Sequence, residues 1–116
     1  MRWQYMGNIM NTLNWDKKFA LDQAADDAEL LQELLEIFKE SYLSDLTLIK
    51  EGIQKGDAKQ VYSASHSIKG AAASLGIEGI REIALIVEAD SRNGSLAVAK
   101  NKVQGLEDML LQLQEL

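Results

Sequence analysis

The sequence predicts an all-α protein, namely an antiparallel up-and-down four-helix bundle with a short extra N-terminal helix. The chain of 116 residues contains no proline, and Leu, Ala, Glu, Lys, Gln and Ile dominate its composition. Apolar side chains recur every three or four residues through four long segments. No segment shows the alternation between turns that a strand requires, and short connections between long helices favour antiparallel neighbours.

The N-terminal part of the chain is predicted to be an arm followed by the extra helix. Residues 1–12 show no helical period, and we interpret them as an arm or linker to a domain that covers residues 13–116. The short helix is predicted to begin at Asn14 or Asp16 and to end near Ala24 or Ala25. It would carry the apolar residues Trp15, Phe19 and Leu21.

A long second helix is predicted from Asp27 to about Lys55. Asp26 resembles an N-cap, with Glu29 three residues later completing a capping box, and Gly56 is a favourable C-terminal stop. The apolar stripe of this helix is predicted to consist of Leu30, Leu31, Leu34, Leu35, Phe38, Tyr42, Leu46, Ile49 and Ile53.

The third helix is predicted to begin after the cap Asp57, with Gln60 in the box position, and to end at Gly76. On a wheel of about 100° per residue with Val61 at zero, His66 falls about 140° away. The core stripe therefore lies on one side of this helix and His66 lies on the other. Within about 40° of Val61 are Ser65, Ile68, Ala72 and Leu75.

Two more helices complete the predicted bundle. The fourth runs from Glu78 to about Arg92 with Ile80, Ile83, Ala84 and Val87 inward. Leu85 and Ile86 make this helix apolar on more than one side, which predicts that it is well packed. Asn93-Gly94 is a turn signal, and Ser95 is predicted to cap the last helix. The core side of the last helix is predicted to carry Leu96, Val103, Leu106, Met109, Leu110 and Leu113.

Composition excludes several classes of function. The chain has no cysteine, so it has no disulfides and no cysteine-based zinc site. Its net charge of −6 argues against nucleic acid or an anionic membrane as the main partner. No apolar run approaches the ~20 residues of a membrane span, and the N-terminus lacks a signal-peptide pattern. We therefore expect a cytoplasmic protein.

The stretch Ser63–Gly76 carries the candidate chemistry, because it contains the single histidine, His66. A lone helical histidine is usually an ordinary surface or partly buried residue. Here, however, Lys69 and Gly70 follow at i+3 and i+4 and share its side of the helix. A neutral imidazole is a nucleophile, an ammonium group one turn away would offset an added phosphoryl charge, and glycine would leave room for a large partner.

Residues 66–76, HSIKGAAASLG, resemble the H-x-x-K-G-x-x-x-x-x-G signature of histidine-containing phosphotransfer (HPt) domains. The segments LNWDKKFALDQAADDAELLQELLEIFKES and GDAKQVYSASHSIKG are also similar to that family, so the resemblance covers about residues 13–116. It implies a four-helix bundle in which His66 accepts a phosphoryl group from a receiver-domain aspartyl phosphate and passes it to another receiver aspartate. It implies attachment at the ring nitrogen farther from the backbone.

The same resemblance implies roles for the neighbours of His66. Lys69 would stabilise the phosphoryl group, and Gly70 would give the partner access. Glu88 stands 22 positions after His66, where the family often has a Glu or Gln that orients the imidazole. Arg92, one turn later, would touch the partner. Further candidates for the partner surface are Tyr62, Ser63, Ala73, Phe19 and Leu21.

The resemblance also implies the partners and leaves alternatives open. The partners would be response-regulator receiver domains, and a hybrid sensor histidine kinase is a further candidate; Mg²⁺ would belong to the receiver and the chain would have no cofactor of its own. No Gly-rich ATP-binding loop is visible, so we expect a phosphocarrier and not an enzyme. We expect a monomeric, stand-alone carrier, although Trp3 and Tyr5 could provide another contact. The alternatives are a kinase-associated phosphotransfer domain, phosphorylated by a separate ATP-binding domain, and a non-transferring scaffold.

Overall fold

Four long helices form a bundle, and a short helix precedes them. The computed structural model describes residues 12–116. Helix α2 packs against α3 and α5, and α4 packs against the same two helices, so the bundle is closed. Apart from one antiparallel bridge between Trp15 and Ile77, the described residues contain no β-structure. The predicted fold class is therefore confirmed. The helices are α1 (Lys17–Gln23), α2 (Ala28–Lys55), α3 (Ala58–Ser74), α4 (Glu78–Arg92) and α5 (Ala97–Leu113).

The helix starts agree with the predictions to within a residue or two, but the cap of α2 differs from the predicted one. Asp27, not Asp26, caps α2, because its Oδ1 accepts hydrogen bonds from the backbone N–H groups of Glu29 (3.0 Å) and Leu30 (3.1 Å). Asp26 has a positive φ of 61° and belongs to the turn before the helix. The prediction of a capping box based on Asp26 was therefore wrong by one residue.

The cap of α5 is shared between two side chains. Ser95 Oγ accepts a hydrogen bond from the backbone N–H of Ala97 (3.2 Å) and donates to Asp90 Oδ2 (2.8 Å). The same Asp90 oxygen accepts from the backbone N–H of Val98 (3.0 Å). Ser95 thus satisfies one N–H at this helix start, as predicted, while a carboxylate from the end of α4 satisfies another.

The predicted division of α3 into a core side and an outer side is confirmed. Asp57 Oδ1 accepts from the backbone N–H of Gln60 (3.0 Å), and α3 ends two residues before Gly76, which has a φ of 69°. His66 is exposed on the opposite side from the core stripe. The buried residues of that stripe are Val61, Ser65, Ile68, Ala72 and Leu75.

Helix α4 is less buried than predicted. Leu85 and Ile86, the two residues from which close packing of this helix was predicted, are 41% and 43% exposed and therefore lie outside the core. The physical reason is that α4 has two helical neighbours, α3 and α5, and its remaining side faces solvent. The buried residues of α4 are Ile80, Ala84, Val87, Glu88 and Ser91.

The start of α4 has no side-chain cap, and the segment before α1 instead accepts hydrogen bonds from its first backbone N–H groups. The carbonyl oxygens of Leu13 and Asn14 accept hydrogen bonds from the backbone N–H groups of Gly79 (2.8 Å) and Glu78 (3.4 Å). Trp15 Nε1 donates to the Leu75 carbonyl oxygen (2.9 Å) at the end of α3. Residues 12–16 therefore join the ends of two helices and place α1 beside them.

Of the predicted arm, 1–12, only Thr12 is described, and its hydroxyl accepts a hydrogen bond from Gln112 Nε2 (2.6 Å). The expectation that Trp3 or Tyr5 provides a contact lies outside the described residues. Among the helices of residues 12–116, none is long and apolar enough to cross a membrane.

Candidate functional site

His66 lies at the middle of α3 with its ring directed away from the core. Its side chain is 61% exposed, and Nδ1 lies 2.5 Å from Oε2 of Glu88 on the neighbouring helix α4. This contact forms because α3 packs against α4 through its core stripe. The packing brings His66 and Glu88, which are 22 residues apart in the sequence, to the same edge of the interface.

Glu88 is a buried carboxylate with two partners. Its side chain is 4% exposed; Oε2 binds His66, and Oε1 accepts a hydrogen bond from Lys69 Nζ (2.8 Å). Burial by itself would raise the pKa of Glu88, but the hydrogen bonds from Lys69 and His66 outweigh burial and bring this pKa below its ordinary value. Glu88 is therefore ionised at neutral pH.

The ionised state of Glu88 determines which nitrogen of His66 carries the proton. A carboxylate can only accept hydrogen bonds, so Nδ1 must be the N–H donor of the neutral ring. The second nitrogen, Nε2, then bears a free lone pair on the exposed side of the ring. This arrangement makes the lone pair of Nε2 accessible from outside the molecule, and a neutral imidazole with such a lone pair can act as a nucleophile.

Lys69 is partly buried, with 28% of its side chain exposed, and its ammonium group is held by Glu88. The resemblance implied that this ammonium group stabilises a phosphoryl group, and that role stays a prediction. In the structure Lys69 has a further effect: its hydrogen bond keeps the Glu88 carboxylate ionised and fixed in position.

Gly70 provides open space one turn after His66. A Cβ added to this residue would have no atom within 4 Å, so no packing requirement explains a glycine here. An interior helical glycine costs about 1 kcal/mol relative to alanine. Packing inside the molecule therefore does not account for this glycine, and its role in giving a partner access stays a prediction.

Two further side chains extend the site on the side away from Gly70. The rings of Tyr62 and His66 are stacked, with centroids 6.0 Å apart and an interplanar angle of 21°. The Arg92 guanidinium lies 5.4 Å from the centroid of the Tyr62 ring, and its Nη2 donates to the Tyr62 hydroxyl (3.4 Å). Sequence reasoning named both residues as surface candidates but did not find the stack, whose only sequence signal is an aromatic residue at i−4 from His66.

The other residues predicted to form the partner surface differ in how exposed they are. Ser63 and Ala73 are exposed on α3, and Phe19 on α1 is 38% exposed next to Gly76. Leu21 is half-buried against the core. Leu85, which the sequence suggested was packed inside, is exposed one turn before Glu88 on α4, and therefore belongs to the same surface.

Asp45 on α2 is a carboxylate near the site that the sequence analysis did not single out. Its burial raises the pKa of Asp45, and a hydrogen bond with the Ser67 side chain partly offsets this. Ser67 follows His66 directly on α3. No group of three or more potential metal ligands occurs among residues 12–116.

Comparison with known proteins identifies the class that this fold and site define. The family model described as Hpt domain matches residues 33–116, and the chain belongs to this family of histidine phosphotransfer domains. Members of the family are phosphocarriers of phosphorelays that interact with receiver domains. This finding confirms the resemblance drawn from the sequence.

Among solved structures, the chain is similar to histidine-containing phosphotransfer protein B (HptB) from Pseudomonas aeruginosa PAO1. The TM-score is 0.78 at 20% sequence identity, and the match covers 85% of this chain and 86% of that one. At this identity the likeness establishes a common fold. No curated protein matches the chain.

Proposed function

We propose that this chain is a phosphorelay carrier in which His66 accepts a phosphoryl group from a receiver-domain aspartyl phosphate and passes it to another receiver aspartate. One observation carries the proposal. The exposed His66 ring is bound at Nδ1 by a buried, ionised carboxylate, which leaves Nε2 free to attack. Family membership supports the general class of reaction.

The transfer step follows from this geometry. The lone pair of Nε2 attacks the phosphorus atom, a P–N bond forms, and the P–O bond to the aspartyl carboxylate breaks. The departing carboxylate takes the electron pair of the broken bond. Nδ1 retains its proton, and the positive charge that the ring acquires is balanced by Glu88 at 2.5 Å. Donation to the second receiver is the reverse of this step, so no proton has to leave the site.

Each neighbour of His66 has a proposed role in the same reaction. Glu88 selects the tautomer and balances the charge of the phosphorylated ring. Lys69 keeps that carboxylate ionised and adds positive potential one turn from His66, which favours the phosphoryl group. Gly70 leaves the approach to Nε2 open for the receiver.

The receiver is proposed to supply the remaining chemistry. Phosphoryl transfer depends mainly on positioning and on neutralisation of charge. Those requirements are met if the receiver contributes its acidic pocket and Mg²⁺, while this chain contributes an oriented imidazole. We propose that the protein acts as a monomer in the cytoplasm, without its own ATP-binding or catalytic site.

The deciding experiment is phosphotransfer from a panel of phosphorylated receiver domains in the absence of ATP, with wild type and His66→Gln compared. We expect wild type alone to acquire an acid-labile, base-stable phosphate. His66→Gln should keep the helical circular dichroism of wild type, because His66 lies outside the core. As a control, the variant Asn101→Ala should be labelled like wild type, because Asn101 is exposed on α5, away from the helix that carries His66.

Other outcomes would assign the chain to one of the alternatives. Label that appears only when ATP and a separate kinase catalytic domain are added would indicate a kinase-associated phosphotransfer domain. Absence of label under both conditions would indicate a scaffold. Label on the His66→Gln variant would mean that another residue is the acceptor and would overturn the assignment of His66.

A further inference from the structure

Tyr62, on the exposed side of the site, contacts both His66 and Arg92. The Arg92 guanidinium lies over the ring of Tyr62, 5.4 Å from its centroid, and the Tyr62 ring stacks on His66 with centroids 6.0 Å apart. Tyr62 precedes His66 by one turn of α3, and Arg92 follows Glu88 by one turn of α4. These contacts therefore span the two helices that hold the acceptor.

The two cations nearest the acceptor have different partners. Lys69 is bound to Glu88 at 2.8 Å, and both oxygens of this carboxylate are occupied. Removing Lys69 from Glu88 would leave a buried charge with one partner fewer, which is costly. Arg92, by contrast, contacts the neutral Tyr62, and no carboxylate of residues 12–116 lies within ion-pair distance of it.

We propose that Arg92 is the cation that binds the phosphoryl group on phosphorylated His66, and that Tyr62, which contacts both residues, is the platform that holds the guanidinium at this site. This inference rests on the proposed function of His66. A phosphoryl group adds up to two negative charges at Nε2, and a guanidinium can bind two of its oxygens at once. The guanidinium exchanges only a weak, exposed contact with Tyr62 for a charged one, so the exchange is favourable.

The two cations of the site, Lys69 and Arg92, then have different roles. Lys69 acts on the inner side of the ring, where it holds the carboxylate that orients Nδ1. Arg92 acts on the outer side, where the phosphoryl oxygens will lie. Arginine suits the outer position because it is weakly hydrated, keeps its charge at all accessible pH values and stacks on aromatic rings.

The test loads the phosphoryl group without any protein partner, so that partner docking cannot influence the result. The probe is phosphoramidate, whose P–N bond breaks as the imidazole takes the phosphoryl group and ammonia leaves. The second ionisation of the resulting phosphohistidine is then followed by ³¹P NMR as a function of pH. A bound cation favours the dianion and lowers the pKa of the phosphoryl group.

We expect Arg92→Ala to lower the second acid dissociation constant of the phosphoryl group by about two- to fivefold, the range expected for an exposed ion pair. Arg92→Lys should retain part of the effect. Tyr62→Leu should give a smaller change in the same direction, whereas Tyr62→Phe, which keeps the ring, should stay near wild type. Arg81→Ala is the matched control, because Arg81 is on the same helix but is paired with Glu78 at 2.9 Å.

The outcomes separate this inference from the proposed function. If phosphohistidine forms at His66 and its titration is the same in Arg92→Ala and wild type, the role of Arg92 is refuted while the carrier function stands. If Lys69→Gln alone changes the titration, the phosphoryl cation is Lys69 and the inference is wrong. If wild type accepts no phosphoryl group at His66 from phosphoramidate or from any receiver, both proposals fail.

Discussion

Nδ1 of His66 and Oε2 of Glu88 are 2.5 Å apart, across the interface of α3 and α4, and the Glu88 side chain is almost completely buried. This pair gives an exposed histidine a fixed tautomer, because an ionised carboxylate accepts only from an N–H group. A flexible surface histidine would distribute its proton between both nitrogens. Predictions about chemistry, pH dependence and access follow from this contact and its surroundings.

Glu88→Gln should slow phosphotransfer while preserving the fold. The amide is close in size and can accept from Nδ1, but it cannot balance the positive charge of the phosphorylated ring. Because the orienting acceptor remains and only the charge is lost, we expect the rate to fall by up to about tenfold, the lower end of the range for complete removal of such a partner. ¹⁵N NMR of the His66 ring measures the tautomers directly, and wild type should be almost entirely protonated at Nδ1 when neutral.

A control variant distinguishes loss of charge at Glu88 from general disturbance of α4. Glu82→Gln removes an exposed carboxylate from the same helix and should leave both the rate and the ring tautomer unchanged. An Nε2–H tautomer in wild type, or an unchanged rate in Glu88→Gln, would contradict the role of this carboxylate.

Glu88 should also contribute to the acid sensitivity of folding. Its pKa is lower in the folded protein than in the unfolded chain, so the folded state favours the ionised form. This contribution to stability is fully present above the pKa of the unfolded chain's glutamate and is lost as the pH falls through the lower pKa of the folded protein. Urea unfolding at neutral pH and at acid pH should therefore show a smaller acid-induced loss of stability in Glu88→Gln than in wild type.

Asp45 provides a control of opposite sign for that measurement. Burial raises the pKa of Asp45, so the folded state binds its proton more tightly than the unfolded chain does. This group therefore opposes folding above its folded pKa, and its unfavourable contribution diminishes as the pH falls. Asp45→Asn should accordingly enlarge the acid-induced loss of stability, and equal pH profiles for the two variants would show that at least one of the two assignments is wrong.

The sequence alone predicted the side of α3 on which His66 lies, because the apolar period locates the core. It did not predict the Trp15 and Gly79 contacts of the N-terminal segment, since local periodicity contains no information about residues 60 or more positions apart. The sequence also did not predict that Leu85 is exposed. Hydrophobicity shows only that a side chain can be buried, whereas the number of neighbouring helices decides whether it is buried. The stack of Tyr62 and Arg92 likewise depends on how α3 and α4 pair.

Gly70 should respond differently to a small and a large side chain. Nothing lies within 4 Å of a Cβ at this position, so Gly70→Ala should raise the free energy of unfolding by up to about 1 kcal/mol. Gly70→Leu should also fold, but its side chain would obstruct the approach to Nε2 and block transfer from a receiver. The measurements are urea unfolding and the rate of receiver phosphotransfer.

The small donor phosphoramidate provides the control for this steric explanation. It should still phosphorylate His66 in Gly70→Leu, because it needs far less space than a protein. Normal transfer from the receiver in this variant would eliminate access as the reason for the glycine, and loss of reaction with phosphoramidate would indicate that the leucine disturbs the histidine itself.

Gly79→Ala should destabilise the protein, in contrast to alanine at Gly70 or Gly105. A Cβ at Gly79 would overlap the carbonyl oxygen of Thr12 and lie 2.9 Å from that of Leu13, so the N-terminal segment would have to move away from the start of α4. We expect the free energy of unfolding to fall by about 1–3 kcal/mol, as in other overpacked sites. Gly105→Ala is the matched control, because its Cβ would meet only Ile83 Cδ1 at an ordinary 3.8 Å and should be neutral or stabilising. The ¹⁵N signals of His66 should stay unchanged in Gly79→Ala, since the pair with Glu88 is formed by α3 and α4 themselves; equal stability of the two alanine variants would show that the N-terminal segment does not hold the start of α4.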